Sequence, residues 1–143
     1  MDGLNVHGAV VDELHAHKSD EVWGVLETAT GSRRNPMMFA ITTAGFNQAS
    51  FCFQLRDYAI KVLERIYDND SFFGVIYTLD EEDIKSEQGW RDERNWIKAN
   101  PNLGVSVSLE DLRDKALKAR SIGSALTHFL TKHLNVWTNA AEL

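Results

Sequence analysis

The stretch AVVDE, residues 9–13, sets two adjacent acids directly after a short apolar run. Such a β-prone run predicts a β-strand over residues 6–12. Ligands of α/β proteins bind at the carboxyl ends of the strands, which is where Asp12 and Glu13 would then lie. This arrangement is typical of a Walker B motif, in which the first acid holds magnesium and the second activates the water that attacks the γ-phosphate of ATP. The plain alternative is a strand that ends in two solvated acids.

A second apolar run, residues 37–42, is followed by Ala44 and Gly45, small residues at which the chain can turn out of the strand. A continuous apolar run predicts a central parallel strand that is covered on both faces. The hydroxyls of Thr42 and Thr43, which end this run, can hydrogen-bond the attacking water or the γ-phosphate and respond to its loss. Alternatively, they only satisfy backbone groups at the end of the strand.

Helical periodicity separates these strands from a third one. Apolar residues at helical spacing predict a helix over residues 50–67, and the aromatic and β-branched run Phe72–Leu79 predicts a third strand. The alternation of strands and helices predicts an α/β fold with a parallel sheet of three strands. Acidic residues dominate residues 80–95. We therefore divide the chain into an α/β part, residues 1–82, and a helical subdomain, residues 83–143.

Composition narrows the classes of function. The chain has 143 residues, of which 43% are hydrophobic, and a net charge of -6. This charge argues against a free-standing protein that grips nucleic acid through its overall charge, because phosphate neutralisation needs clustered Lys and Arg. No apolar run approaches the roughly 20 residues that span a bilayer, and no secretory leader is recognisable. We therefore expect a cytoplasmic protein that has no membrane as a partner.

Several segments together resemble the large subunit of tailed-phage and prophage terminases. The resemblance covers about residues 3–138, and the segments occur in the family's order and spacing. They are VVDELHAHKSDEVWGVL, TGSRRNPMMFAITTAGF, SFFGVIYTLDEED, WIKANPNLGVSVS and HFLTKHLNVWT. The resemblance implies part of a P-loop-NTPase-type sheet, from a motor that hydrolyses ATP to drive double-stranded DNA into a capsid.

The resemblance also implies roles for individual residues. Asp12 and Glu13 match the family's Walker B acids, with magnesium held by Asp12 and with Glu13 as the catalytic base. The family's coupling motif, which links hydrolysis to the movement of DNA, corresponds to Thr42, Thr43 and Ala44. The intact protein would use ATP and Mg²⁺ in the host-cell cytoplasm. Its partners would be double-stranded DNA, the portal protein and the terminase small subunit, and a homo-oligomer would be in keeping with such a motor.

Two features of the family are missing from these residues. No G-x-x-x-x-G-K-[ST] sequence occurs, so the loop that cradles the phosphates is absent. Residues 83–143 look like the family's linker towards a nuclease domain, and the metal-binding acids of that domain do not follow. We therefore expect the chain to bind no cofactor by itself and to be catalytically inactive alone. The third strand would lack its neighbour, so we expect the sheet to be compromised or dimeric.

Arg33 and Arg34 form a basic pair in the loop before the second strand. They could reach the phosphates of a neighbouring subunit, as an arginine finger does, or contact a DNA phosphate. The alternative is a solvated loop that is merely basic.

Two other functions stay open at this point. A DExH helicase-like fragment would fit the sequences D-E-L-H, residues 12–15, and T-T-A, residues 42–44. The helical character of residues 80–143 does not fit the second motor domain that a helicase requires. A non-catalytic prophage remnant that acts as a binding or structural module would fit the missing phosphate loop.

Overall fold

The computed structural model describes residues 3–86 and 88–139. Within them, strand β1, Gly8–Asp12, pairs in parallel with strand β2, Met37–Ile41. The register places Gly8 opposite Met37 and Asp12 opposite Ile41, so both strands end at the same edge. Helix α1, Glu21–Ala29, forms the crossover that a parallel pair requires.

One face of this sheet is covered by an apolar cluster. Helix α2, Phe51–Leu63, begins where the Ser50 hydroxyl accepts a hydrogen bond from the backbone N–H of Phe53. The buried members of the cluster are Val11, Leu14 and Cys52. Partly buried residues that pack against them are Trp23, Leu26, Ala40, Phe51, Leu55 and Trp137. Burial raises the pKa of the Cys52 thiol, which identifies it as a packing residue rather than a reactive one.

The opposite face of the sheet is bare. Strand residues that alternate with the buried ones leave large apolar side chains in solvent, namely Val10, Met37, Phe39 and Ile41. Val10 is 70% exposed and lies opposite Phe39 in the register. The continuous apolar run of the second strand predicted cover on both faces. The structure of this segment provides cover on one face, so that prediction is wrong for the chain as described.

The predicted third strand, Phe72–Leu79, is not part of the sheet. The segment is extended, with Phe73, Val75 and Tyr77 exposed by 85%, 53% and 52%. The prediction of three strands is therefore wrong, and the sheet formed by the described residues has two. The physical reason is that β-propensity needs a neighbouring strand to supply backbone partners, and no described strand lies beside this segment. Side chains hold it instead: Thr78 donates to the Asn135 carbonyl at 2.9 Å, and Asn135 donates to the Tyr77 carbonyl at 2.8 Å.

The rest of the described chain is helical, as predicted. It contains α3, Glu81–Lys85; α4, Trp96–Ala99; α5, Leu109–Ala119; α6, Gly123–His128; and a π-helical turn, Phe129–His133. Short 3₁₀ turns cover Leu14–Ala16 and Glu93–Asn95. Ser108 caps α5 by accepting a hydrogen bond from the Asp111 N–H. The helical core is centred on Phe129, against which the rings of Trp90 and Trp96 pack edge-on.

The end of the described chain returns to the α/β part. Trp137 packs edge-on against Phe53 of α2, with ring centroids 5.1 Å apart. The backbone N–H of Thr138 donates to the Gly45 carbonyl at 3.4 Å. Gly45 follows β2, so the two parts of the molecule meet where the chain leaves that strand. None of the described helices has the length and apolar character that a membrane crossing requires.

Candidate active site

The two predicted acids lie at the carboxyl end of β1. The backbone N–H of Glu13 donates to Asp12 Oδ1 at 2.8 Å, which orients that carboxylate. Glu13 has a left-handed backbone conformation, with φ 53°, and opens the 3₁₀ turn Leu14–Ala16. Its side chain is 57% exposed. Both carboxylates are therefore presented to solvent at the strand end, where a cation and its bound water can reach them.

The predicted hydroxyls lie at the same edge, at the end of β2. The Thr42 hydroxyl accepts a hydrogen bond from the backbone N–H of His15 at 3.0 Å and donates to the Thr43 carbonyl at 2.9 Å. The His15 ring nitrogen Nδ1 also lies 3.0 Å from Thr42 Oγ1. The structure therefore brings the end of β1 and the end of β2 together through His15. Thr43 is half-buried, and Ala44 is fully buried beside it.

Lys132, from the π-helical turn, completes this cluster. Its Nζ lies 2.6 Å from His15 Nε2 and 3.1 Å from Thr43 Oγ1. The same nitrogen of His15 also lies near Glu13, whose Oε2 is 3.4 Å from Nε2. Burial, followed by the charge of Lys132, lowers the pKa of His15, and the charge of Glu13 opposes that shift. The balance of these effects favours the neutral imidazole.

Sequence reasoning missed Lys132. It lies 117 residues from His15 in the chain, and no local pattern connects the two. The available signal was indirect: Lys132 belongs to HFLTKHLNVWT, one of the segments that carries the resemblance. His15 was noticed as the last residue of D-E-L-H, without a partner.

The basic pair lies at the other end of the strands. Arg33 donates from Nη2 to the Asn5 carbonyl at 3.3 Å, and Asn5 precedes β1. Arg34 is exposed in the same loop. Because both arginines precede β2 while Asp12 ends β1, they lie across the length of a five-residue strand, about 15 Å, from the acids. They are not part of the cluster around His15. A role towards a neighbouring subunit or DNA stays a prediction.

The donor set at the strand ends suits magnesium. Mg²⁺ is usually held by one or two carboxylates, with waters and substrate phosphates completing its octahedron. Asp12 supplies such a carboxylate. No group of three or more His, Cys, Asp or Glu side chains that could form a metal cage occurs among residues 3–86 and 88–139. The ion would thus depend on nucleotide for the rest of its shell.

Comparison of the sequence with protein-family models identifies the family of this chain. The family model for the terminase large subunit, endonuclease domain, matches residues 66–143, which is more than half of the chain. The chain belongs to the terminase large subunit family. The model for the ATPase domain of the same subunit matches residues 1–61, which contain the acids and the hydroxyls of the candidate site.

Two individual proteins are also similar to this chain. Protein YmfN of Escherichia coli (strain K12) is 43% identical over 139 residues, which is 97% of this chain and 30% of YmfN. The crystal structure of the HK97 bacteriophage large terminase matches with a TM-score of 0.76 and 25% identity, over 96% of this chain and 27% of that one. This terminase segment therefore spans about a third of the length of the proteins that it matches.

The two terminase domain models meet between residues 61 and 66, at the end of α2. The division at residue 82 that the sequence suggested, with residues 83–143 as a linker, stays a prediction. The acids near that point are engaged within the fold. Lys98 Nζ lies 2.6 Å from carboxylate oxygens of both Asp80 and Asp83, so these two side chains are neutralised locally rather than directed at a shared ligand.

Proposed function

We propose that this chain carries the hydrolysis and coupling residues of an ATP-driven motor that packages double-stranded viral DNA into a capsid. The observation that supports this most directly is the meeting of Asp12, Glu13, Thr42 and Thr43 at one edge of a parallel sheet, joined by His15. Membership of the terminase large subunit family favours this function over a helicase-like one.

Each residue has a task in this proposal. Asp12 holds magnesium, and Glu13, exposed beside it, accepts the proton of the attacking water. Thr42 and Thr43 bind the water or the γ-phosphate through their hydroxyls and relax when the phosphate leaves. ATP and Mg²⁺ supply the reacting phosphate and the charge that stabilises it. Ala44, the third residue of the coupling motif, is buried beside them at the exit of β2.

The partners proposed for the intact motor are double-stranded DNA, the portal protein and the terminase small subunit, in the cytoplasm of the host cell. Arg33 and Arg34 would contact a DNA phosphate or the nucleotide of a neighbouring subunit in a homo-oligomer. Both arginines lie on the amino side of the sheet, away from Asp12, so their target belongs to another molecule. A non-catalytic prophage remnant with a binding or structural role is the second candidate.

A chimera tests this function. The segment of the HK97 bacteriophage large terminase that matches this chain is replaced by residues 1–143, and magnesium-dependent ATP hydrolysis is measured. We expect Glu13→Gln to lower kcat by about 10²-fold or more while ATP binding persists, because it removes the base but not the phosphate contacts. The matched control is Glu110→Gln, an exposed acid of α5, which should leave the rate unchanged.

The chain alone gives the complementary measurement. Without a phosphate-binding loop, its ATP turnover should not exceed that of its own Glu13→Gln variant. A magnesium-dependent rate in the isolated chain that vanishes in Glu13→Gln would show that the phosphate loop is dispensable. Equal rates of the chimera and its Glu13→Gln variant would instead favour the remnant.

A further inference from the structure

Lys132 joins the helical part of the molecule to both residue groups of the candidate site. Its ammonium contacts His15, which follows the acids of β1, and Thr43, which follows β2. We propose that Lys132 is a positioning residue that fixes His15 in the neutral Nδ1–H form and thereby ties the coupling hydroxyls to the helical part. The task of this link rests on the proposed function, whereas the bonds themselves do not.

The donor and acceptor capacities of its hydrogen-bond partners select one tautomer of His15. A lysine ammonium can only donate, so His15 Nε2, at 2.6 Å from Lys132 Nζ, must be the acceptor. A neutral imidazole then carries its proton on Nδ1, which donates to Thr42 Oγ1 at 3.0 Å. Thr42 in turn donates to the Thr43 carbonyl. The donors therefore run in one direction, from Lys132 through His15 to the backbone of the coupling residues.

The fold holds Lys132 rigidly in place. Phe129 and Leu134, on either side of it, are fully buried, and the backbone N–H of Leu134 donates to the Phe129 carbonyl at 3.1 Å. This bond from residue i to residue i–5 belongs to the π-helical turn, a geometry that is frequent at functional sites. Thr131, which is also fully buried, donates from Oγ1 to the Thr127 carbonyl at 2.8 Å. The base of the Lys132 side chain is thus fixed to the helical core.

A second contact between the two parts lies a few residues after Lys132 in the chain. Trp137 lies so close to Gly45 that a Cβ added there would be 3.2 Å from its ring, and Thr138 donates to the Gly45 carbonyl. The exit of β2 is therefore contacted at Thr43 by Lys132 and at Gly45 by Trp137. A shift of the coupling hydroxyls on loss of the γ-phosphate would have to move the helical part or break these contacts. That requirement is what couples the two parts.

The imidazole proton of His15 can be read directly in the 143-residue chain without nucleotide. Long-range ¹H–¹⁵N correlation spectra at pH 7.5 distinguish an Nδ1–H from an Nε2–H imidazole, and His15→Gln assigns the signal. We expect the Nδ1–H pattern in the unmodified chain. Lys132→Met, which keeps the length of the stem but has no donor, should lose that pattern, whereas Lys132→Arg, which restores a donor, should recover it. Lys118→Met, at an exposed position of α5, is the matched control.

A retained Nδ1–H pattern in folded Lys132→Met would overturn the proposal. Thr42→Val keeps the test decisive if Lys132→Met fails to fold, because it removes the Nδ1 partner and leaves Lys132 in place. The proposal expects Nδ1–H to persist in Thr42→Val, and its loss there would assign the tautomer to Thr42 instead.

In the chimera, we expect Lys132→Met to lower kcat about tenfold with little change in KM for ATP. A chimera without ATPase activity whose chain still shows the tautomer would contradict the function and leave the link intact.

Discussion

Glu13 combines an exposed carboxylate with a strained backbone. Its φ of 53° lies in the left-handed region, which non-glycine residues enter at a cost of about 1 kcal/mol or more. Residues held in such conformations cluster at functional sites. The side chain of the candidate base is consequently directed by the turn between β1 and the 3₁₀ turn Leu14–Ala16, and its Oε2 lies 3.4 Å from His15 Nε2.

Relief of this strain is the first prediction. Glu13→Gly should raise the free energy of unfolding by about 1 kcal/mol relative to Glu13→Ala, because only glycine adopts a positive φ freely. Urea unfolding of the two variants measures the difference. Both variants lack the carboxylate, so the comparison isolates the backbone. Equal stabilities would show that the turn is relaxed in solution.

His133 makes stability depend on pH. Burial, followed by the charge of Lys115, lowers the pKa of His133 below its usual 6.5, and Asp111 opposes that shift. The folded state therefore favours neutral His133 more than the unfolded chain does. The stability that this preference supplies is complete above pH 6.5 and is lost as the pH falls through the lowered pKa.

The second prediction follows from this sign. The free energy of unfolding, measured with urea between pH 7.5 and pH 5, should fall less steeply in His133→Gln than in the unmodified chain. The control is His7→Gln, at an exposed position before β1, which should retain the slope of the unmodified chain. An unchanged slope in His133→Gln would place the titrating group elsewhere.

At the scale of elements, the local sequence pattern predicted the helices, whose backbone hydrogen bonds are internal, and the two strands that pair with each other. β1, β2 and helix α2 lie where the apolar runs and the apolar periodicity of the sequence place them. Phe72–Leu79 has the same β-prone composition but no described strand beside it, so the pattern could not decide its pairing. The acids and hydroxyls at the strand ends followed from the parallel arrangement. The contact of Lys132 depends on tertiary packing, which no local pattern encodes.

The extended segment Phe72–Leu79 gives the third prediction. An extended run with exposed apolar side chains and unpaired backbone groups is a template for association, so the chain should associate weakly as its concentration rises. Val75→Lys, at an exposed position of this segment, should reduce the association measured by sedimentation equilibrium. Leu117→Lys, at an exposed position of α5, is the matched control. A similar reduction in both variants would point to general solubility rather than to this edge.

At the scale of the whole molecule, the joint between the two parts depends on the absence of a side chain at Gly45. A Cβ there would lie 3.2 Å from the Trp137 ring and 3.3 Å from the His15 Cβ, both closer than ordinary contact. The fourth prediction is that Gly45→Ala lowers the free energy of unfolding by about 1–3 kcal/mol, as overpacking does. Chemical unfolding measures it.

Gly24→Ala is the control for this substitution. Gly24 lies within α1, and a Cβ there meets nothing within 4 Å, so alanine should stabilise the helix by about 0.5–1 kcal/mol. Opposite signs at the two glycines would locate the effect at the joint. A neutral Gly45→Ala would mean that Trp137 moves aside without loss.

The returning end of the chain has a consequence for how such proteins can diversify. Recombination between phages at residues 62–65, where the two matched domain models join, would combine the two segments from different parents. The pairs His15–Lys132 and Gly45–Trp137 both straddle it. In a recombinant, the two members of each pair would come from different parents. We therefore expect these positions to be inherited together, so that the evolutionary unit is the pair of segments and not either one.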